Sequence, residues 1–369
     1  MEAMGLSPQF WRGKRVLVTG HTGFKGSWLA LWLHELGAEV HGLALPAEHQ
    51  PHHAALLGLP ARLASEHLVD IRDAQALQQA VRAVQPEFVF HLAAQALVRR
   101  SYREPTQTFA TNVMGLVHLL EALRAWPGAR AVVNATTDKC YANDGAALAF
   151  RETDPLGGHD PYSASKACAE IVSASYRDSY FAARAQGTPA PALATARAGN
   201  VIGGGDWSED RLIPDLVRAA QAGRLAPIRN PQAIRPWQHV LEPLCGYLLL
   251  GQQLWHEGPA SAQAWNFGPS IEDHLPVGAV IAGFTHHWPA LRHQADPGPH
   301  PHEAATLHLD CSKAQQQLQW RPVWRTGMAL ERTVQWYRDW HQAGAVNTLA
   351  DLHQYAADAR RAGFAWAGA

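Results

Sequence analysis

The stretch "TGHTGFKG", Thr19 to Gly26, follows a β-branched apolar run, "KRVLV", and opens a segment with helical periodicity, "GSWLALWLHELGA". Its glycines, Gly20, Gly23 and Gly26, permit a tight turn and let a pyrophosphate approach the backbone amides at the helix N-terminus. Such turns occur by chance, but the strand–turn–helix context is the one that dinucleotide binding requires. We therefore expect a dinucleotide site here, with Thr22 and Phe24 of the same turn beside the cofactor.

Outward from this turn, apolar strands alternate with helices through the first half of the chain. This pattern predicts an α/β fold of the Rossmann type, with a doubly wound parallel sheet. After the last clear strand, "ALATARAGNVIG", the sequence becomes rich in Gly, Pro, Arg and Trp, which indicates a smaller C-terminal substrate-binding lobe. We place the dinucleotide-binding domain at residues 10–195 and this lobe mainly at residues 196–369. The boundary is soft, because the chain can return to the first domain.

The ends of the next three strands predict the rest of the cofactor site. The second strand should end in an acid that holds the adenosine ribose, but residues 43–45 are Leu-Ala-Leu. Arginine does not stand there either, so we expect NAD and not NADP, held loosely. Asp70 can bind the adenine amino group with Ile71 against the ring, although it could instead cap the next helix, a role that suits Asp73 better. The fourth strand ends in residues over which a cofactor can lie, Leu92, Ala93 and Ala94.

Composition narrows the class of protein. The 31 basic and 32 acidic side chains balance and form no basic run, which argues against nucleic-acid binding. Four cysteines without a CxxC pair, no apparent signal peptide and no apolar run of bilayer length predict a cytoplasmic protein that does not enter membranes. Two histidine clusters, at residues 49–53 and 300–303, lack the spacing of a zinc helix, so we expect no metal site.

The segment "DPYSASK" places Tyr162 and Lys166 one helical turn apart, on one face. A nearby ammonium and a positive nicotinamide would stabilise the tyrosine phenolate and make it a usable base near neutral pH. Thr137 ends the fifth predicted strand, in "NATTDKCY", where its hydroxyl can bind the same sugar hydroxyl as the tyrosine. These three residues predict a catalytic set for hydride-transfer chemistry.

Four motifs, "TGHTGFKGSWL", "TTDKCY", "DPYSASK" and "LHLDCSKAQQQLQW", together resemble the nucleotide-sugar 4,6-dehydratases of the extended short-chain dehydrogenase/reductase family. The resemblance runs from about residue 10 to residue 324. The dTDP-glucose branch carries Thr-Asp-Glu at the strand end, whereas Thr137-Asp138-Lys139 resembles the CDP-sugar branch. The resemblance implies NAD as cofactor, CDP-glucose as substrate and a homodimer formed through two helices beside Tyr162.

The chemistry that the resemblance implies is a dehydration through a transient ketone. Tyr162 takes the O4 proton while hydride passes from C4 to NAD⁺, a base then removes the C5 proton, Asp138 protonates the departing O6, and hydride returns to C6. Lys139 stands where the dTDP enzymes have the glutamate base, and a lysine must be neutral to accept a proton. Three alternatives stay open: Lys139 is the base, it tunes Asp138, or the two form a surface ion pair.

Four residues of the second half are candidate substrate contacts. Arginine side chains suit a diphosphate, and the family uses Asn and Arg at matching positions; the candidates are Arg197, Asn200, Arg235 and Asn266, with His302 or Glu303 weaker. Any of them could equally cap a helix or pair internally. A nucleotide-sugar 4-epimerase would share the fold and the Tyr–Lys pair but has no need for Asp138. A non-catalytic NAD sensor has no use for a tuned tyrosine.

Overall fold

A computed structural model describes residues 6, 8–143, 145, 149–182, 190–299 and 307–368. The strands in these ranges are β1 Arg15–Thr19, β2 Glu39–Ala44, β3 Ser65–Leu68, β4 Phe88–His91, β5 Ala131–Ala135, β6 Ala192–Ala198, β7 Asn200–Ile202, β8 Ala226–Ile228, β9 Ile234–His239, β10 Ala264–Phe267, β11 His274–Pro276 and β12 His293–Ala295. The α-helices are α1 Pro8–Trp11, α2 Phe24–Glu35, α3 His53–Leu56, α4 Ala74–Val84, α5 Val98–Arg103, α6 Pro105–Phe109, α7 Gly115–Arg124, α8 Pro161–Tyr176, α9 Leu212–Gln221, α10 Leu241–Glu257, α11 Val277–His287, α12 Ser312–Gln317, α13 Thr326–Ala343 and α14 Thr348–Arg361.

Seven strands form one parallel sheet in the order β10-β6-β5-β4-β1-β2-β3. The predicted Rossmann-type α/β fold is thereby confirmed. Because the strands are parallel, their carboxyl ends lie along one edge of the sheet, where doubly wound folds bind ligands. The Gly-rich turn (residues 20–26) follows β1 at the centre of this edge.

The prediction of the last strand as one continuous element is wrong. The structure divides "ALATARAGNVIG" into β6, in the main sheet, and β7, in a separate three-stranded sheet with β9 and β11. The division falls at Gly199, where an added Cβ would lie 2.6 Å from the Pro236 ring. The sequence pattern did not predict β10, a four-residue strand that pairs with β6 at the sheet edge.

Apolar side chains cover both faces of the main sheet. One face packs on α2 and α10, whose residues are buried almost all round. The other face packs on α4, α7 and α8. A third apolar cluster joins α9, α11 and α13 in the C-terminal lobe. The functional edge of the sheet is therefore supported by two apolar clusters, one on each face, and the lobe beside it has a core of its own.

The division into domains at residues 195 and 196 stays a proposal. Strand β6 runs across this boundary, and the chain later returns to the first unit with α10 and β10. We therefore propose that residues 10–195 form the dinucleotide-binding domain together with the returning segment, and that most of the remaining C-terminal residues form the lobe.

Two kinds of feature are absent from the described residues. None of their helices combines the length and apolar character that a bilayer crossing demands. Within the same residues, no group of three or more His, Cys, Asp or Glu side chains could hold a metal ion. His300, His302 and Glu303, which the sequence singled out, lie outside the described residues.

Candidate active site

A cavity of about 1100 Å³ opens at the carboxyl ends of the main-sheet strands, beside the C-terminal lobe. All of the predicted cofactor residues line it, namely Gly20, Thr22, Gly23, Phe24, Gly26, Asp70, Ile71, Leu92, Ala93, Ala94, Tyr162 and Lys166. Of the other predicted residues, those that line it are Thr137, Lys139, Asn200 and Arg235. Asp138, Arg197 and Asn266 do not. The structure thus brings residues from seven predicted segments to one cavity.

The Gly-rich turn has a backbone that only glycine fits. Gly20 has a φ of +77°, and a Cβ there would lie 2.7 Å from the Ala93 nitrogen. A Cβ at Gly26 would collide with the Gly20 carbonyl. Helix α2 begins at Gly23 without a side-chain cap, so its first amides are left for a ligand. The turn therefore fits a dinucleotide pyrophosphate.

The adenosine end of the cavity lacks a carboxylate at the end of β2. Leu45 is 48% exposed at that point, and its carbonyl accepts a hydrogen bond from the Thr22 hydroxyl at 3.0 Å. Asp70 forms a bidentate pair with Arg72, whose hydrogen bonds hold the Asp70 pKa below its usual value. Asp73 caps α4, as expected. Asp70 is thus available at the cavity, but Arg72 already binds its carboxylate.

Tyr162 and Lys166 project from the first turns of α8, which begins at an Asp160 cap followed by Pro161. Burial raises the Tyr162 pKa to about 12, opposed by a hydrogen bond from Thr137. Burial lowers the Lys166 pKa to about 8, and the Lys166 ammonium donates to the Ala135 carbonyl at 3.1 Å. The stabilisation of the Tyr162 phenolate by Lys166 together with a bound nicotinamide stays a prediction.

Asp138 and Lys139 form an ion pair at the end of β5, in a short 3-10 turn capped by Thr137. Asp138 Oδ1 accepts from Lys139 Nζ at 3.1 Å and from the Thr137 hydroxyl at 3.0 Å. Asp138 Oδ2 is buried and finds no partner among the described residues. The Lys139 side chain is 28% exposed, and its ammonium also donates to Asn200 Oδ1 at 3.3 Å. The pair is therefore no surface feature: its carboxylate is enclosed, and its amine faces the cavity.

Lys25, inside the Gly-rich turn, is a site residue that sequence reasoning missed. Its ammonium donates to the Tyr247 hydroxyl at 2.8 Å. Burial, together with the charges of Lys166 and Arg211, lowers the Lys25 pKa to about 7. A lysine in the first turn of an otherwise apolar, buried helix was the available signal.

Arg197 and Asn266 do not occupy the substrate-binding positions expected of them. Arg197 forms a buried ion pair with Glu170 at 2.7 Å and donates to the Tyr141 hydroxyl at 2.8 Å. Asn266 Oδ1 accepts from the same hydroxyl at 2.7 Å, and its amide donates to the carbonyls of residues 150 and 310. Neither residue lines the cavity, and both bind the hydroxyl of Tyr141, in the segment that follows β5. Glu170, one helical turn after Lys166, was missed.

Arginines supply positive charge around the cavity. Arg235 is buried against it and donates to the Ile234 carbonyl at 2.9 Å. Arg99 and Arg229 also line the cavity, and each reaches the same Asp210 oxygen, Oδ1, at 3.4 Å. These two were not singled out from the sequence, because nothing local distinguishes them from other arginines. Together the three can bind an anionic ligand.

A family model described as GDP-mannose 4,6 dehydratase matches residues 17–333. The chain is 49% identical to the CDP-glucose 4,6-dehydratase of Salmonella typhimurium over 91% of this chain and 93% of the relative. A crystal structure of a dTDP-glucose 4,6-dehydratase double mutant from Streptomyces venezuelae, with NAD bound, matches with a TM-score of 0.74 and 26% identity over 91% of this chain and all of that chain. The UDP-glucose 4-epimerase of Thermus thermophilus, in complex with NAD, matches with a TM-score of 0.75 and 26% identity over 88% and 99%.

Proposed function

The chain belongs to the GDP-mannose 4,6 dehydratase family, and on that premise we propose that it is an NAD-dependent CDP-glucose 4,6-dehydratase, a hydro-lyase. The observation that carries the proposal is the placing of Lys139 and Tyr162 at one cavity, with the buried Asp138 carboxylate 3.1 Å from Lys139 Nζ. A 4-epimerase needs only the tyrosine, whereas loss of water also needs an acid and a base. The substrate follows from the Salmonella relative and from the Thr-Asp-Lys strand end.

The Gly-rich turn and residues 92–94 would hold NAD, which would supply a hydride acceptor for the oxidation at C4 and a hydride donor for the reduction at C6. Tyr162 takes the proton from O4 during this oxidation, with the Thr137 hydroxyl and the Lys166 ammonium beside it. The C4 ketone makes the C5 proton acidic, and Lys139, whose side chain faces the cavity, removes it in its neutral amine form. Asp138 supplies the proton to O6 as water leaves. The product is CDP-4-keto-6-deoxyglucose.

The substrate diphosphate is assigned to the positive side of the cavity. Arg235 lines it beside Asn200, and Arg99 and Arg229 add two guanidinium groups that share one carboxylate, Asp210. Guanidinium forks suit diphosphate oxygens. A bound diphosphate would compete with Asp210 for these two arginines.

Mass spectrometry of nucleotide-glucoses incubated with the protein and NAD⁺ tests the proposal. CDP-glucose should lose the mass of one water, faster than dTDP-, UDP- or GDP-glucose. An unchanged mass with altered stereochemistry at C4 would identify an epimerase instead. No change with any of the four sugars would support a non-catalytic, NAD-sensing protein.

We assign the expected homodimer to the helices beside Tyr162. Phe109, Met114 and Ile171 are exposed, at 37%, 47% and 58%, on segments that pack together around α6 and α8. Isolated exposed apolar residues are ordinary, but a cluster of them favours an interface. Ile171→Lys should shift the sedimentation coefficient to that of a monomer, whereas Leu225→Lys, at an exposed position on the other lobe, should not. We place the protein in the cytoplasm, where its four free cysteines would stay reduced.

A further inference from the structure

Asp210 lines the cavity at the turn that precedes α9, and its carboxylate is shared by arginines from separate parts of the chain. Oδ1 lies 3.4 Å from Arg99, in α5, and 3.4 Å from Arg229, in the segment between β8 and β9. The second carboxylate oxygen, Oδ2, lies 3.8 Å from Arg103, also in α5. Asp210 therefore links α5 to the C-terminal lobe at the place assigned to the substrate diphosphate.

The contacts of Asp210 with these arginines are loose. Charged hydrogen bonds between a guanidinium and a carboxylate are usually about 2.7–2.9 Å long, and all three of these contacts are longer. The side chains of Asp210, Arg99 and Arg229 are 25%, 30% and 23% exposed, so water screens their attraction. Such pairs contribute little to stability, and a stronger anion can take the place of the carboxylate.

A nucleotide diphosphate is such an anion. It carries more negative charge than a carboxylate, and its oxygens suit the fork geometry of guanidinium groups. Arg99 and Arg229 both line the cavity, and Arg235 is buried beside it. The negative charge of Asp210 would repel a diphosphate bound there unless the carboxylate moved away from the two arginines.

We propose that Asp210 is an autoinhibitory residue, whose carboxylate holds Arg99 and Arg229 until a nucleotide diphosphate displaces it. The inference rests on the proposed function, since it takes the diphosphate of CDP-glucose as the displacing ligand. No covalent bond is made or broken: the two guanidinium groups exchange one anion for another, and Asp210 turns toward solvent. Because substrate and product carry the same diphosphate, Asp210 lowers the affinity for both, which favours product release.

Calorimetric titration with CDP, on protein saturated with NAD, tests the inference without turnover. Asp210→Asn removes the charge, and asparagine is compatible with the positive φ of +56° at this position. Its Kd for CDP should be about two- to thirtyfold lower than that of the wild type, because the ligand no longer displaces two part-exposed ion pairs. Asp210→Gly, which also suits a positive φ, should behave in the same way and takes the place of Asp210→Asn if that variant does not fold.

Two controls separate competition for the arginines from a general effect of charge. Glu209→Gln removes the same charge from the adjacent residue, whose partner Arg103 does not line the cavity, so the Kd for CDP should stay that of the wild type. Arg99→Met/Arg229→Met should weaken CDP binding, and adding Asp210→Asn to this double variant should then bring no gain in affinity.

The titrations distinguish failure of the inference from failure of the proposed function. An unchanged or higher Kd in the Asp210 variants, with a wild type that binds CDP, would overturn the inference and leave the proposed function intact. An equal gain in Glu209→Gln, or in the variant that lacks both arginines, would also overturn it, because the gain would then arise from charge repulsion at a distance. A folded wild type that does not bind CDP would overturn the proposed substrate and the inference with it.

Discussion

Two carboxylate–cation pairs meet the chain just after β5, one at Asp138 and one through Thr136, and they differ in how completely their carboxylate oxygens are used. The Glu170 oxygens accept from the hydroxyls of Thr136 and Thr195 and from Arg197, and both members of that pair are 3% exposed. Asp138 has one oxygen bound and the other without a partner among the described residues, and its cation is 28% exposed.

This difference distinguishes a pair that supports the structure from a pair that can take part in catalysis. A buried carboxylate whose two oxygens are both hydrogen-bonded has no capacity to accept a proton without breaking the network. A carboxylate with an unused oxygen, beside an amine that faces a cavity, can accept and give a proton. We infer that the Glu170–Arg197 pair holds the end of β5 and that the Asp138–Lys139 pair works on the substrate.

Asp138→Asn should produce the largest effect on turnover. Loss of general acid catalysis should slow the release of water by about 10²–10⁴-fold. Because Lys139 keeps contact with solvent, it is not left as a buried charge, and the free energy of unfolding should change little. Turnover by mass spectrometry and denaturant unfolding measure the two effects. Asp73→Asn, which retains a cap on α4, is the control, and an equal loss of turnover there would contradict the assignment.

Lys139→Ala should slow C5 proton exchange by at least about a hundredfold, since removal of a general base costs that much. The measurement is deuterium incorporation at C5 of the sugar in D₂O. Lys139→Arg keeps the positive charge but cannot act as a base, so it should be equally slow. Exchange at the wild-type rate in Lys139→Arg would show that the lysine only tunes Asp138 and that the base comes from elsewhere.

Glu170→Gln should affect the free energy of unfolding more than turnover, the reverse of Asp138→Asn. It leaves the Arg197 charge buried and unpaired, which should lower the free energy of unfolding by about 3–5 kcal/mol. Turnover of the folded protein should fall by less than about a hundredfold, the cost of misplacing a catalytic group by about 1 Å. The double variant Glu170→Met/Arg197→Met, which removes both charges, should recover part of the stability. A double variant less stable than Glu170→Gln would argue that the hydroxyl contacts, not the charges, hold the network.

Glu242 is a third buried carboxylate, and it does not line the cavity. Its substitution should therefore change stability and not turnover. Glu242 accepts from the amides of Val323 and Trp324 and from the Tyr355 hydroxyl, and burial raises its pKa from 4.5 to about 7. Since the folded state holds this proton more tightly, its stabilising contribution is present at low pH and is lost as the pH rises through about 7. Relative to Glu242→Gln, the wild type should lose roughly 3 kcal/mol between about pH 4.5 and 7. Denaturant unfolding of both proteins across this range measures the loss, and parallel curves would contradict it.

Local spacing accounts for the part of the site that the sequence predicted. The Gly-rich turn, and Tyr162 with Lys166, are set by residues within one turn or one helix, so their pattern is visible in the chain. The role of Arg197 was predicted wrongly because its partner Glu170 lies 27 residues away and contacts it only where α8 packs on β6. Lys25 was missed for the same reason, since its partner Tyr247 is 222 residues distant. Strand β10 is too short to show an alternation of apolar and polar residues in the sequence. It forms because the edge of β6 offers backbone groups to pair with.

That edge has a consequence for any attempt to cut the protein in two. Strand β10 comes late in the chain but covers the outer side of β6 with backbone hydrogen bonds. A fragment ending at residue 195 would lack β10 and the last three residues of β6, and the shortened β6 would become the bare margin of the sheet. A buried apolar strand with unpaired amides and carbonyls invites pairing with other copies. During synthesis the same condition lasts until residue 267 has emerged, so the N-terminal half would need protection from aggregation for that interval.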